Sequence, residues 1–272
     1  NPKTKNNNLS KLWKGDRHIR VYLAGLSSVM DKKYVWEYKP IYVLESIYYI
    51  RDWLIQYVKS PYCKSFMLDS GAFTFMGNEK VKKTKNIDWG KYMNHYADFI
   101  NAYDIDLFFE MDIDNVIGYE NVKLLRKALE QKTNKRCIPV WHKKRGREEF
   151  IKLCKDYDYV AIGGIASKEI TRKEWPFLKW FINTAHENNC MIHGLGFTPT
   201  GNKLKLYDFD SVDSTRWTGG QRYASMQKFI GTEIKEIKIQ KESLRLKNHG
   251  YDLTQNHNLR EWVKFQRYMD EL

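Results

Sequence analysis

Short apolar runs alternate with longer amphipathic segments along most of the chain. The short runs are rich in β-branched and aromatic residues, whereas the longer segments repeat apolar residues at every third or fourth position. This alternation is typical of βα units that build a parallel sheet. The pattern therefore predicts an α/β fold.

The short runs are predicted to be seven strands, namely Val21 to Leu26, Phe66 to Asp69, Leu107 to Asp112, Cys137 to Trp141, Tyr159 to Ile165, Met191 to Leu195 and Phe209 to Asp213. The segments predicted to be helices are Ile41 to Lys59, Trp89 to Tyr103, Tyr119 to Gln131, Arg147 to Tyr157 and Glu174 to Asn188. Seven strands approach the eight of a TIM-type (β/α)8 barrel, whose typical length of about 250 residues is close to that of this chain. We expect the eighth strand near the amino terminus or within Ile234 to Ile239.

No repeat or low-complexity linker divides the chain, so residues 1–272 are expected to form one barrel domain. Residues 1–18 are predicted to be a flexible basic arm, and residues 223–272 a mainly helical carboxyl-terminal part. The four cysteines are widely spaced and form no Cys-x-x-Cys pair, which argues against a disulfide framework or a zinc knuckle. We expect no metal, no cofactor and no membrane contact, and a cytoplasmic location, in the host cell if a phage encodes the chain.

Two of the predicted strands run directly into an aspartate followed by small residues. Asp69 precedes Ser70 and Gly71, and Asp213 precedes Ser214. Because the loops that follow the strands of a barrel line one face, both acids are expected to meet at its mouth. Two carboxylates in different environments can divide a nucleophilic role and a proton-transfer role between them. Either aspartate could alternatively cap the next helix.

The chain is strongly basic, with 46 Lys and Arg against 33 Asp and Glu and a formal net charge of +13. Such a balance is common in proteins that bind polyanions, although it also serves solubility. Basic clusters follow several predicted strands and would therefore surround the same mouth. The residues predicted to contact nucleic-acid phosphates are Lys82, Lys83, Lys143, Lys144, Arg145 and Arg216.

Five short motifs follow one another at the predicted strand ends: Asp69-Ser70-Gly71-Ala72-Phe73, Glu110-Met111-Asp112, Gly163-Gly164-Ile165-Ala166, His193-Gly194-Leu195-Gly196-Phe197-Thr198 and Asp210-Ser211-Val212-Asp213. Their order resembles the tRNA-guanine transglycosylase superfamily. The match is closest to the shortened phage-type branch, which exchanges guanine in DNA for a 7-deazaguanine. The resemblance implies a TIM barrel, a nucleic-acid substrate with DNA favoured over tRNA, and a free 7-deazaguanine base as co-substrate.

The resemblance also implies a role for each of three acids. Asp213 would attack the sugar anomeric carbon and hold the nucleic acid covalently while the bases exchange. Asp69 would transfer protons to the departing base and from the incoming base. Asp112 would accept hydrogen bonds from the guanine N1–H and exocyclic amine, unless it is one of a solvated acidic edge.

Five further residue positions are implied to contact the base. Phe73 and His193 would sandwich it, and Gly163 with Gly164 would expose a backbone N–H to the purine O6. Trp141 or His142 stands where the family carries a glutamine, and the sequence leaves this choice open. Core packing of the rings and close strand–helix contact at the glycines are the alternative interpretations.

Some features depart from the family pattern. Ala72 replaces the second glycine of the first motif, and the zinc-binding set Cys-x-Cys-x-x-Cys of the tRNA enzymes is missing, which favours DNA as the polymer. A shifted alignment would make Asp210 the nucleophile. We prefer Asp213, because the period of two along a strand points Asp210 to the opposite side.

Three other functions remain open from the sequence. A TIM-barrel glycosidase would pair Glu110 or Asp112 with Asp213. A non-catalytic nucleic-acid-binding subunit would keep the fold and the charge alone. The same exchange chemistry could also act on tRNA or another RNA.

Overall fold

The structure is a computed structural model that describes residues 18–71, 87–199, 201–219, 225–238 and 249–272. Its centre is a parallel sheet of eight strands, which are β1 (Arg20–Ala24), β2 (Tyr42–Ser46), β3 (Ser65–Asp69), β4 (Leu107–Phe108), β5 (Val140–Trp141), β6 (Tyr159–Ile162), β7 (Met191–Gly194) and β8 (Ser211–Ser214). The strand order is β4-β3-β2-β1-β8-β7-β6-β5. The predicted α/β class is confirmed.

The sheet curls, so that its two edge strands approach each other. An isolated parallel bridge pairs Phe109, just after β4, with Ile138, just before β5. The Ile138 amide donates to the Phe108 carbonyl at 2.8 Å, and the Glu110 amide donates to the Ile138 carbonyl at 3.0 Å. The carboxyl ends of all eight strands consequently face one side of the molecule.

The described helices are α1 (Lys33–Tyr38), α2 (Asp52–Val58), α3 (Trp89–Ala102), α4 (Asp114–Ile117), α5 (Tyr119–Thr133), α6 (Gly146–Asp156), α7 (Leu178–Glu187) and α8 (His249–Asp270). The longer ones cover the sheet with one apolar stripe, as α3 does with Met93, Tyr96, Ala97 and Ile100. Asp88 caps the amino terminus of α3, and its side chain accepts a hydrogen bond from the Lys91 amide. None of the described helices, including the 22-residue α8, has an apolar stretch sufficient to cross a bilayer.

The eighth strand lies in the amino-terminal part of the chain, one of the two predicted places, but in a segment that was predicted to be helical. The strand is β2, which lies inside the segment Ile41 to Lys59 that the periodicity assigned to one helix; only its second half is helical, in α2. Residues Tyr42 to Glu45 are all buried, so their apolar run reflects burial on both faces of a strand rather than one helical face.

The segment Ile234 to Ile239 does not join the central sheet. Its described part belongs to β10 (Glu233–Lys238), which pairs only with β9 (Ser225–Ile230) in an antiparallel hairpin. In its described residues, the carboxyl-terminal part consists of this hairpin and α8, so it is less helical than expected. The side chain of Gln266 on α8 donates to the Val21 and Tyr42 carbonyls at 2.7 Å each, which fixes the helix to β1 and β2.

Candidate active site

A cavity of about 1980 Å³ opens at the carboxyl ends of the sheet strands. Asp69, at the end of β3, and Asp213, in β8, both line it. The two aspartates singled out by the sequence therefore share one cavity, on two strands that are separated in the sheet by β2 and β1. Asp112, His142, Gly163 and Gly164 line the same cavity.

Asp213 is held from one side by the loop that follows β7. Its Oδ1 accepts a hydrogen bond from the Gly196 amide at 2.7 Å and lies 3.2 Å from Nε2 of His193. Gly196 has φ +67°, and a Cβ there would come within 2.8 Å of Ala166, so this backbone approach requires glycine. Among the described residues no hydrogen bond reaches Oδ2, which leaves that oxygen available to a ligand.

His193 is completely buried and is not among the cavity-lining residues. Its Nδ1 forms a hydrogen bond with the Ser211 hydroxyl, which also forms a hydrogen bond with the Tyr159 hydroxyl. One consistent arrangement has Tyr159 donating to Ser211, Ser211 donating to Nδ1, and Nε2–H donating to Asp213. The resemblance implied that His193 contacts the base. In the structure it instead contacts Asp213 from the side away from the cavity.

Asp69 is desolvated at the end of β3. Burial raises its pKa to about 6, and the charges of Asp112, Asp213 and Glu45 act in the same direction, while a hydrogen bond from the Gly71 amide at 2.9 Å opposes them. A carboxyl group with such a pKa can take up and release a proton near neutral pH.

The turn after Asp69 depends on glycine. Gly71 has φ +76°, and a Cβ there would lie 2.9 Å from the Tyr92 hydroxyl and 3.0 Å from the Ser46 hydroxyl. The Tyr92 hydroxyl donates to the Ser70 carbonyl at 2.7 Å and closes the turn. The Asp-Ser-Gly sequence therefore sets the position of the Asp69 carboxylate.

After β4, the strand next to β3, Asp112 is paired with His142. Both carboxylate oxygens lie 2.8 Å from the His142 Nε2, and the His142 Nδ1 lies 3.0 Å from Glu169. Burial and the charge of Arg145 would lower the pKa of His142, but the hydrogen bond and charge of Asp112 and the hydrogen bond of Glu169 prevail and raise it to about 9. The ring is accordingly a cation at neutral pH.

The structure distinguishes Trp141 from His142. Trp141 points into the core, where its ring lies 4.5 Å from that of Phe181 between centroids and its Nε1 donates to the Gly146 carbonyl at 2.8 Å. Only His142 of the two lines the cavity. Both of its ring nitrogens already contact carboxylates, so the ring borders the cavity without a free nitrogen to offer a ligand.

Gly163 and Gly164 make room for these side chains. A Cβ on Gly163 would lie 2.7 Å from the His142 ring, and a Cβ on Gly164, which has φ +82°, would lie 2.8 Å from Glu169. The close-packing interpretation of the two glycines thus has direct support. Both also line the cavity, so the predicted contact with a base remains compatible with it.

Behind Asp112 lies a buried ionic cluster. Arg145, whose side chain is only 1% exposed, binds Glu110 at 3.1 Å and Asp114 at 3.0 Å and lies 3.6 Å from Asp112. Arg126 adds a contact to Glu110 at 3.4 Å. Burial raises the pKa of Glu110 despite both arginines. Burial would also raise the pKa of Asp114, but Arg145, His142 and Lys144 lower it.

This cluster changes two predictions. Arg145 is enclosed by carboxylates, which does not fit the predicted phosphate contact. Glu110 is fully buried and does not line the cavity, so it cannot be the acid of a glycosidase. Asp210 likewise lies outside the cavity, where it accepts from the Ile192 amide at 2.7 Å and contacts His186 at 3.1 Å.

The other basic residues predicted to bind phosphates are at the surface, but the described ones are paired. Lys143 binds Glu174, and Lys144 binds Asn115 and Asp114. Arg216 lines the cavity and binds Glu236 at 3.0 Å and the Thr198 carbonyl at 3.2 Å. Phe73, Lys82 and Lys83 lie outside the described residues, as does most of the predicted basic arm.

The structure adds cavity residues that sequence reasoning did not select. They are Ser27, Glu45, Arg51, Glu169, Arg172 and Lys203. Glu45 was missed because β2 was taken for a helix, and the others follow strands or lie in loops that carry no recognisable motif. Arg51, Arg172 and Lys203 are exposed and supply positive charge to the rim.

Three side chains have the composition of a metal site, since ligand atoms of Asp112, Asp114 and His142 lie within 4.8 Å of one another. The pKa of His142, raised to about 9, works against metal binding, because a metal ligand must be the neutral imidazole. Arg145 and protonated His142 already balance these carboxylates. The residues therefore fit an ion-pair network better than a divalent cation.

Compared with known proteins, the chain matches no protein-family model and no curated sequence at a significant level.

Proposed function

We propose that the protein is a base-exchange transglycosylase that replaces guanine in a nucleic acid by a free 7-deazaguanine. The observation that carries the proposal is the single cavity lined by Asp69 and Asp213, with Asp112 and His142 on its remaining wall. We further take the curled eight-stranded sheet to be a TIM-type barrel, because a bridge already joins its edge strands.

In the proposed reaction, an oxygen of Asp213 attacks the sugar C1′ while the bond to guanine N9 breaks. The bonding electrons leave with guanine, and Asp69 supplies the proton that neutralises the departing base. In the second half, Asp69 takes the proton of the incoming base, whose nitrogen attacks C1′ and frees the Asp213 carboxylate. The pKa of about 6 at Asp69 suits a group that must both give and take a proton.

Two features support Asp213 as the nucleophile. The Gly196 amide and His193 both engage Oδ1, which fixes the carboxylate while Oδ2 has no donor among the described residues. A fixed carboxylate with one available oxygen can approach C1′ without first breaking a strong hydrogen bond.

Base recognition is proposed for Asp112. A carboxylate has about four lone-pair sites, and the contacts of Asp112 with His142 and Arg145 do not occupy all of them. The remaining sites can accept the N1–H and the exocyclic amine of guanine, whereas adenine offers no N1–H. His142 holds the carboxylate in place.

The nucleic acid is proposed to be DNA, on the resemblance and the missing zinc set, with RNA as the alternative. The rim residues Arg51, Arg172 and Lys203 can bind backbone phosphates. A stacked guanine cannot reach a cavity at the strand ends, so the nucleotide must be extruded from a duplex, at a cost of a few kcal/mol. Single-stranded DNA should therefore react at least as well as duplex DNA.

The decisive experiment is incubation with radiolabelled guanine or a 7-deazaguanine, followed by separate recovery of DNA and RNA. We expect label in DNA, and no label with Asp213→Asn. A covalent protein–nucleic acid adduct should form with the native protein and not with that variant. Label in neither polymer would contradict the proposal and leave an Asp112–Asp213 glycosidase or a non-catalytic binding subunit.

A further inference from the structure

One wall of the cavity has no role in the exchange chemistry just described. In the sheet, β1 and β2 lie between β8, which carries Asp213, and β3, which carries Asp69. Ser27 follows β1, Glu45 lies on β2, and both line the cavity. A carboxylate and a hydroxyl group therefore lie between the two proposed catalytic acids.

The Glu45 side chain is held in one position by two backbone hydrogen bonds. It is 2% exposed, its Oε2 accepts from the Ser27 amide at 2.8 Å, and its Oε1 accepts from the Ser46 amide at 3.1 Å. Its charge is opposed only in part, by Arg51 at the rim, and burial raises its pKa. Burial of a carboxyl group without a close cation is costly, which is typical of functional sites.

The Ser27 hydroxyl is a second group on this wall with no role in the proposed exchange reaction. Its side chain is 4% exposed, and its hydroxyl has no hydrogen-bond partner among the described residues. A buried hydroxyl without a partner is unusual and calls for an explanation, such as a ligand atom that completes it. The Ser27 amide, in contrast, is used to orient Glu45.

The positions of the reacting groups decide which part of the substrate can reach this wall. The base is assigned to the wall of Asp112 and His142, and C1′ must lie within reach of both Asp213 and Asp69. The pentose is attached at C1′ on the side away from the base. It must consequently extend over β1 and β2, where Ser27 and Glu45 lie.

We propose that Ser27 and Glu45 form the subsite for the pentose of the extruded nucleotide. The inference rests on the proposed function and names the part of the substrate that these two residues bind. They are positioning residues, since they hold the sugar while Asp213 reacts. A ribose would offer its 2′-hydroxyl to the Glu45 carboxylate, whereas a deoxyribose would offer only ring and ester oxygens, which accept from Ser27 or from neutral Glu45.

The test compares Ser27→Ala and Glu45→Gln with the native protein, and Glu148→Gln on the exposed face of α6 is the matched control. Exchange is measured on single-stranded oligonucleotides whose one target guanosine is either ribo or deoxyribo. We expect the KM for oligonucleotide to rise about tenfold in both subsite variants, as expected for one lost hydrogen bond of about 1.4 kcal/mol, while the KM for free guanine is unchanged.

A second readout does not need exchange. Fluorescence anisotropy measures the affinity for an oligonucleotide in which a tetrahydrofuran abasic residue replaces the target nucleotide. Glu45→Gln and Ser27→Ala should weaken this binding severalfold, whereas Glu148→Gln should not. If the native protein exchanges no base, the proposed function fails, and this binding still decides whether the subsite exists.

The ribo and deoxyribo targets show which sugar atom the subsite contacts. An effect of Glu45→Gln confined to the ribo target shows that the subsite reads the 2′-hydroxyl, and an equal effect on both targets shows contact with a shared sugar oxygen. A rise in the KM for free guanine instead, or unchanged KM and abasic binding in folded variants, would overturn the inference. Circular dichroism and thermal melting establish that each variant is folded.

Discussion

Asp69 is the residue whose protonation should control the reaction. Its pKa of about 6 means that the fraction able to protonate a departing guanine rises as the pH falls from 8 to 5. Guanine release in a single turnover should therefore accelerate as the pH falls through about 6. Rapid-quench measurement of released guanine tests this, and Asp69→Asn should be slow at every pH. A native profile that is flat across pH 6 would exclude Asp69 as the acid.

The same residue should lower the stability of the protein at neutral pH. Because the folded-state pKa lies above the unfolded value, ionisation favours unfolding, and the penalty grows as the pH rises from about 4 to about 6. Asp69→Asn should therefore raise the free energy of unfolding at pH 7.5 by about 1–2 kcal/mol. Urea denaturation at pH 7.5 measures this gain, and a loss of stability in the variant would contradict the assigned environment.

His142 has the opposite linkage. Its pKa is about 9 in the folded protein and near 6.5 in the unfolded chain. The stabilising contribution of protonated His142 is therefore fully present below pH 6.5 and is lost as the pH rises through 9. We expect the free energy of unfolding to fall by about 2–3 kcal/mol between pH 6.5 and pH 10. Tyrosines and lysines also titrate at the upper end of this range, so His142→Gln serves as the reference. The difference between the two curves should decrease steadily from about pH 6.5 and level off above about pH 9.

The sequence identified the residues of the site that stand in motifs, but it could not show what surrounds them. Asp69, Asp112 and Asp213 line one cavity, as expected from strand ends that share a face. Arg145 was misjudged because a buried arginine and a phosphate-binding arginine look the same in a sequence. Its partners Glu110 and Asp114 come from another βα unit, and only the folded structure reveals that contact.

At the scale of elements, β2 shows why the hydrophobic periodicity predicted a helix where the chain forms a strand. Its run Tyr42 to Ser46 is followed after a short turn by α2, and the combined apolar positions imitate one long helix. Burial of both faces removes the alternation that marks a strand with one exposed face. This one error also concealed Glu45. The remaining seven strands were found because polar or small residues separate them from their helices.

The turn after β3 provides a test at this scale. In Gly71→Ala the new methyl group would meet the Tyr92 and Ser46 hydroxyls, and φ +76° is unfavourable for alanine. We expect a loss of about 1–3 kcal/mol in stability and a large loss of exchange, because the Gly71 amide would move away from Asp69.

Gly118→Ala is the matched control for this turn. Gly118 has a similar φ of +80°, but a Cβ there meets nothing within 4 Å, and the residue does not line the cavity. Its variant should lose about 1–3 kcal/mol in denaturation experiments, because φ +80° with ψ 154° strongly favours glycine, and should retain exchange. Equal loss of activity in both variants would indicate a general effect of backbone strain instead of displacement of Asp69.

At the scale of the whole molecule, charge is distributed in two layers. The floor of the cavity holds the carboxylates Glu45, Asp69, Asp112 and Asp213, whereas the rim carries Arg51, Arg172 and Lys203. The net charge of +13 adds a long-range attraction for a polyanion. A nucleic-acid backbone would thus be bound at the rim, and the acidic floor would repel phosphates while accepting a neutral base and sugar.

This arrangement predicts a specific salt dependence. Each phosphate contact contributes about 0.7 to the slope of log affinity against log salt for a single strand. Arg172→Ala and Lys203→Ala should each reduce the slope by about that amount and weaken binding to all sequences alike. Lys152 is the control, because it lies on the exposed face of α6 and outside the cavity. Lys152→Ala should leave the slope unchanged if the rim residues, and not the overall charge, contact the phosphates. Equal reductions in all three variants would instead assign the attraction to net charge alone, and the rim would then lose its proposed role in guiding the polymer to Asp213.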